Sequence, residues 1–212
     1  MVSNIGWFVI FNIDEVTTMK LVVFDIETKK AFDEVGGYFP IKLGVSVVGV
    51  YFRDDESSEE WYKTYREDNF AEMFRVFEMA QRIVGFNSIN FDMPALSPYY
   101  VGDLLRLPNF DILAEIEEKI GHRVSLDALA KETLGIQKNG HGLDAINYYH
   151  EGNWEALEKY CLQDVRLTKE LYEYGLKRGE LRFKNKWNEV VAVAVDFEYR
   201  SGLTSGVQTT LF

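Results

Sequence analysis

The stretch Lys20-Leu21-Val22-Val23-Phe24-Asp25-Ile26-Glu27-Thr28 decides the fold. Leu21 to Phe24 run apolar without a break, so residues 20–26 read as a strand buried on both faces, inside a sheet covered by helices. Asp25 and Glu27 then put carboxylates at the end of that strand. The period of two along a strand sets both side chains on one face. Two neighbouring like charges there repel each other and lose hydration. Two readings follow. Either the strand stops at Phe24 and both acids are solvated, or a divalent cation compensates them.

Working outward, residues 42–52 are rich in β-branched side chains, contain Gly44 and Gly49, and read as a second strand. Residues 60–65 and 82–86 read as further strands, with a polar acidic turn over 54–59. Phe70, Met73, Phe74 and Phe77 recur at helical spacing within 69–80. A helix is expected around Pro94, because proline suits a first helical turn. Residues 110–113 form a short apolar run. Helices are expected over 114–120, 125–134 and 154–177, with Gly121 and Gly135 as stops. Late strands are expected at 181–183 and 190–197. Strands first, then a mixture of helices and strands, imply an α/β fold: one domain with a mixed sheet flanked by helices.

The chain has 212 residues, 47% of them hydrophobic and 27% charged, which suits one globular domain and excludes dominant disorder. Cys161 is its one cysteine. An intrachain disulfide and a four-cysteine zinc site are therefore impossible, and a reducing, cytoplasmic setting is expected. The net charge of −11 argues against coating nucleic acid through a global basic surface. It leaves room for an enzyme whose carboxylates hold metal ions. The apolar run at 5–11 has no basic residues before it and no small-residue cleavage site after it. It is too short to span a membrane, and it reads as an edge strand. Met19 stands as an alternative start, so 1–19 is set apart as an extension.

Two more acids sit where apolar residues belong. Asp92 follows the strand at 82–86 within Asn87-Ser88-Ile89-Asn90-Phe91-Asp92-Met93-Pro94, either as a helix cap or as a site residue. Asp164 interrupts the stripe Tyr160, Leu167, Leu171, Tyr174 on the long helix, one turn after Tyr160. A carboxylate on a packed stripe needs a partner. The parallel stripe Trp154, Leu157, Cys161, Val165, Tyr172 reads as core.

In this order and at these separations, the acids resemble the DEDD 3′–5′ exonucleases of the DnaQ-like, ribonuclease H-like superfamily. Phe24-Asp25-Ile26-Glu27-Thr28 matches the first motif, Asn87 to Asp92 the second, and Tyr160-Cys161-Leu162-Gln163-Asp164 the third. The sister subclass carries a histidine five residues before the last aspartate. Lys159 holds that position here, so the chain resembles the tyrosine subclass, and in particular the exonuclease domain related to family B DNA polymerases. The resemblance covers about residues 20–197. It implies that Asp25, Glu27, Asp92 and Asp164 hold two Mg²⁺ or Mn²⁺ ions, which activate water and stabilise the leaving 3′-oxygen. It also implies that Tyr160 orients the water, since an ordinary tyrosine hydroxyl, with a pKa of about 10, stays protonated at neutral pH and is a poor proton acceptor there. Thr28, Asn87 and Phe91 are implied at the terminal nucleotide or as braces for the metal ligands.

Other features are open to two readings. Lys177, Arg178, Arg182, Lys184 and Lys186, interleaved with Phe183 and Trp187, grip a nucleic acid strand or form a charged surface. Lys29 and Lys30 are candidates to face substrate. Residues 138–142 read as a flexible turn. His122, His141 and His150 lack ligand-like spacing, which points away from zinc. The tail 201–212 has a linker composition and ends Gln208-Thr209-Thr210-Leu211-Phe212. That ending resembles the short motif that docks replication and repair enzymes on a sliding clamp, of the bacterial type or PCNA. Leu211 and Phe212 would fill an apolar pocket and Gln208 would supply hydrogen bonds. The expected domain is 20–200. The expected activity is a metal-dependent 3′–5′ exonuclease on single-stranded 3′ ends, DNA favoured over RNA, in replication or repair. The alternatives are a non-catalytic clamp- and nucleic-acid-binding protein, or a structure-selective endonuclease on the same fold.

Overall fold

A computed structural model describes residues 18–137 and 142–198. β1 (Lys20–Thr28) pairs antiparallel with β2 (Val45–Asp54) and parallel with β4 (Arg82–Gly85). β3 (Glu59–Tyr65) extends one side and β5 (Asn109–Asp111) the other, giving the order β3-β2-β1-β4-β5. This is the mixed sheet flanked by helices that the sequence implied. The ladder with β2 runs through Glu27 to Thr28, so the strand does not stop at Phe24. Pairing with β4 ends at Val23. Asp25 and Glu27 therefore lie where β1 runs on past its parallel neighbour, at the kind of crevice where α/β sheets bind ligands.

Alternation along β1 sorts the core into two layers. Val22, Phe24 and Ile26 join Val48, Val50 and Ile83 under α1 (Phe70–Met79) and α2 (Asp92–Leu96). Phe24 meets Phe77 of α1 edge-to-face at 5.1 Å. Leu21, Val23, Tyr51 and Val84 face the other way. Their cover comprises α3 (Ile112–Ile120), α4 (Leu126–Leu134), α6 (Trp154–Arg178) and the hairpin of β6 (Glu180–Lys184) with β7 (Val190–Ala194). Each fully buried side chain of this size contributes about 1.5–3 kcal/mol. A one-residue slip would exchange the two faces of β1, so these stripes fix its register.

Several boundaries differ from expectation. β2 begins at Val45 because Pro40–Lys42 form a 3₁₀ turn and Gly44 takes φ +67°. The run at 110–113 divides, since Asp111 ends β5 and caps α3. β7 stops at Ala194. Beyond it, Phe197 packs against Gly175 of α6, and Arg82 donates to the Phe197 and Glu198 carbonyls at 3.2 and 3.4 Å. α5 (Gly142–His150) is a helix the sequence reading lacked. The expected edge strand at 5–11, the turn residues 138–141 and Gln208, Leu211 and Phe212 lie outside the described residues. Among those described, no helix is long and apolar enough to cross a membrane.

Candidate active site

Asp25 and Glu27 share the face covered by α6. Across the strand pair, Asp25 stands opposite Gly49 and Glu27 opposite Val47. A Cβ on Gly49 would lie 3.0 Å from Cys161 Sγ and 2.8 Å from Val165 Cγ2, so α6 rests directly on the strands here. The Cys161 thiol donates to the Asp25 carbonyl at 3.4 Å. Its Sγ and one carboxylate oxygen from each of Asp25 and Glu27 all lie within 4.8 Å of one another. Tyr160 and Asp164, on the same helix, are both buried. Tyr160 is packed with Val47 and Leu157, and Ala145 of α5 belongs to the same cluster. Burial, and then the charges of Asp25, Glu27 and Asp164, push the Cys161 thiol well up. The charges of three carboxylates thus act on one buried sulfur, and the carboxylates of Asp25 and Glu27 next to it offer oxygen donors to a cation.

The fourth acid arrives by a different route. At the end of β4 a Cβ on Gly85 would meet Ser88 Cβ at 2.5 Å, so only glycine lets the chain fold back there. Asn87 takes φ +65°, a left-handed conformation that asparagine tolerates better than most residues. Asp111 locks this turn. Its carboxylate accepts the amides of Asn87 at 2.7 Å and Ile89 at 3.0 Å, together with those of Leu113 and Ala114 at the start of α3. Phe91 occupies the N-cap position of α2 and makes no side-chain cap bond, and Asp92 is the first residue of the helix. Asp92 is only 3% exposed. Burial, and then the charge of Asp111, push its carboxyl up to about 8, while its own amide and that of Ile26 pull it back. Ile26 lies between Asp25 and Glu27, so Asp92 joins them at the end of β1. Asp111 went unread in the sequence. The signal was there: a carboxylate inside an apolar run, at N-cap spacing before a helix.

Around this cluster lies a cleft of about 460 Å³, lined by Asp25, Asp164, Asn87, Phe86, Arg123 and Ser125 among others. That volume falls in the range of about 300–1,000 Å³ for small-molecule sites. The Asn87 amide oxygen accepts from Arg123 Nη2 at 2.7 Å. Buried Thr28 donates its hydroxyl to the Lys30 carbonyl at 2.9 Å. Phe91 meets Phe32 edge-on at 5.9 Å, and Phe32 stacks on Tyr38 at 4.7 Å. Tyr38 in turn donates to the Asn90 carbonyl at 3.0 Å, binding an aromatic loop to the second motif. The structure therefore brings together Asp25, Glu27, Asp92, Tyr160 and Asp164, with Asn87 on the cleft wall. Parts of the basic surface are already paired: Lys29 with Glu67, Arg182 with Glu180 and Lys184 with Glu132. Trp187, at the β6–β7 turn, is 70% exposed.

The RNase_H superfamily profile matches residues 22–175. A comparison with curated proteins finds no match. Among solved structures, the chain is similar to the family B DNA polymerase from the hyperthermophilic archaeon Pyrobaculum calidifontis, with a TM-score of 0.53 and 22% identity. The alignment covers 74% of this chain and 24% of the polymerase, so this chain spans a minor part of that protein's length. At that identity the likeness concerns the fold. Most of β1, all of β4, the Asn87–Asp92 turn and most of α6 fall within the span matched by the profile, and the chain belongs to the RNase_H superfamily.

Proposed function

We propose that this chain is a metal-dependent 3′–5′ exonuclease that shortens single-stranded nucleic acid from its 3′ end, with DNA the favoured substrate. One observation carries the reading. Asp25 and Glu27 each bring a carboxylate oxygen within 4.8 Å of the buried Cys161 sulfur, Asp164 lines the same cleft of ligand size as Asp25, and Asp92 sits at the intervening Ile26 amide. Acids packed this closely, with a carboxyl already pushed up to about 8, call for positive charge. Their oxygens suit hard divalent cations. Mg²⁺ or Mn²⁺ held by Asp25, Glu27, Asp92 and Asp164 would supply Lewis-acid activation of water and neutralise the developing negative charge.

The side chains divide the remaining work. Tyr160, fixed by its packing on Val47 and Leu157, orients the attacking water through its hydroxyl. Asn87 and Phe91 line the approach of the terminal nucleotide, and Thr28 braces the end of β1 through its bond to Lys30. The Phe32–Tyr38 stack gives nucleobases an apolar surface beside the second motif. Docking on a sliding clamp through Gln208, Leu211 and Phe212 belongs to the same proposal and rests on the sequence of the tail.

The test uses 5′-labelled single-stranded DNA and RNA of one sequence with Mn²⁺, comparing wild type with Asp25→Ala. A ladder shortening from the 3′ end in wild type alone is expected, faster on DNA. Internal cuts, or equal cleavage by Asp25→Ala, would overturn the proposal.

A further inference from the structure

The cleft beside the carboxylates has a charge problem. Asp25, Asp127 and Asp164 line it, and a nucleic acid entering it brings more negative charge. Among the described residues lining the cleft, Arg123 is the one cation. Its position is well defined. Nη2 donates to Asn87 Oδ1 at 2.7 Å, and Asp111 in turn holds the Asn87 amide at 2.7 Å. Arg123 Nη1 lies 3.7 Å from Glu117 Oε2, a loose pair between half-exposed side chains that contributes little to stability. A guanidinium offers five N–H donors in a planar fork suited to phosphate. Asn87 and Glu117 leave most of them for the cleft.

We infer that Arg123 is the phosphate-binding residue of this cleft, donating to the phosphoryl oxygens of the terminal nucleotide and keeping hold of the nucleoside 5′-monophosphate after cleavage. This rests on the exonuclease reading above and deepens it by assigning the group that grips substrate where the carboxylates alone would repel it. Asn87, on the cleft wall where the terminal nucleotide approaches, also positions this guanidinium through its amide oxygen. Loss of a charge-assisted hydrogen bond of this kind weakens binding by about tenfold.

The experiment titrates the full chain with dTMP in the presence of Mg²⁺, with thymidine as the phosphate-free control, and adds steady-state cleavage of an oligonucleotide. Arg123→Gln is expected to weaken dTMP binding by about tenfold and to leave thymidine unchanged. On the oligonucleotide it raises KM far more than it lowers kcat, and it flattens the log–log salt dependence by about 0.7, the value for one phosphate contact on a single strand. A role limited to joining the two loops would move thermal stability and none of these. Wild-type dTMP affinity in Arg123→Gln overturns the inference while leaving the exonuclease reading in place. So does wild-type dTMP affinity in Arg123→Ala, the variant used where Arg123→Gln fails to fold. A wild-type chain that neither shortens DNA nor binds dTMP overturns both.

Discussion

Gly49 stands directly opposite Asp25 on the neighbouring strand, and its missing side chain is what lets Cys161 of α6 reach the Asp25 backbone. Tyr160 and Asp164 are carried to the site by that close approach. A methyl at this position would lie 3.0 Å from Cys161 Sγ and 2.8 Å from Val165 Cγ2, too near for either to stay in place. Gly49→Ala is therefore expected to lose about 1–3 kcal/mol of stability through overpacking. Activity falls further than stability, because the helix bearing Asp164 is displaced from β1. Urea melts and cleavage rates check this. Adding Val165→Ala to Gly49→Ala should restore part of both, and a Gly49→Ala enzyme with wild-type rates would refute the close-approach argument.

Asp111 is the residue that holds the second-motif turn. It accepts four amides, two from that turn and two from the start of α3. Asp111→Ala removes a helix cap worth about 0.5–2 kcal/mol and also leaves the amides of Asn87 and Ile89 without their acceptor. The expected result is a drop in the thermal midpoint, together with faster hydrogen exchange at Asn87 and Ile89. Asp111→Asn, which keeps one acceptor oxygen, should fall between the two. Exchange rates in Asp111→Ala equal to wild type would contradict this role.

The buried Asp92 carboxyl makes the metal-free protein sensitive to pH in a defined direction. Its folded-state value is raised to about 8, above the value of about 3.9 for an unfolded aspartate. Its contribution is thus fully present below the unfolded value and is lost as pH rises through the folded value. With EDTA present, wild type should lose stability from about pH 4 to pH 8 relative to Asp92→Asn, which cannot titrate. Mg²⁺ should reverse the loss at the alkaline end, since a cation then takes the place of the proton. Parallel stability profiles for the two proteins would count against a buried, uncompensated Asp92.

Cys161 offers a simple check on the packing. It is fully buried, and burial together with the nearby acids pushes its thiol well up. The native protein should resist an aromatic disulfide reagent at pH 8 and react with one equivalent after denaturation. Rapid labelling of the folded chain would mean that α6 does not lie on β1 and β2 as described.

Much of this was legible in the sequence, for identifiable reasons. The unbroken run from Leu21 to Phe24 can only be buried, and the period of two put Asp25 and Glu27 on one face, where α6 now covers them. The long helix showed its apolar stripes, and Asp164 stood out as their exception. Asp92 was ambiguous between cap and site residue, since both readings place an aspartate before Pro94. The structure puts Asp92 first in α2 and buries its carboxyl against the Ile26 amide, next to Asp25 and Glu27 in the chain. What escaped the sequence depends on contacts distant in the chain. Gly49 reads as an ordinary interruption of a strand until Cys161 is set against it. Asp111 sits in four residues that serve equally as strand end and helix start. α5 was missed because its apolar pattern is weak, with Ala145 its one fully buried side chain among those described.

If Asp25, Glu27, Asp92 and Asp164 act as one metal centre, removing one of these acids weakens the whole. Calorimetric titration of the metal-free chain with Mn²⁺, set beside the same titration of Asp164→Asn, measures this. Wild type is expected to take up two ions, and Asp164→Asn to bind at least one of them more weakly while its thermal midpoint without metal is unchanged or higher. Equal Mn²⁺ binding by the two folded proteins would contradict the single centre.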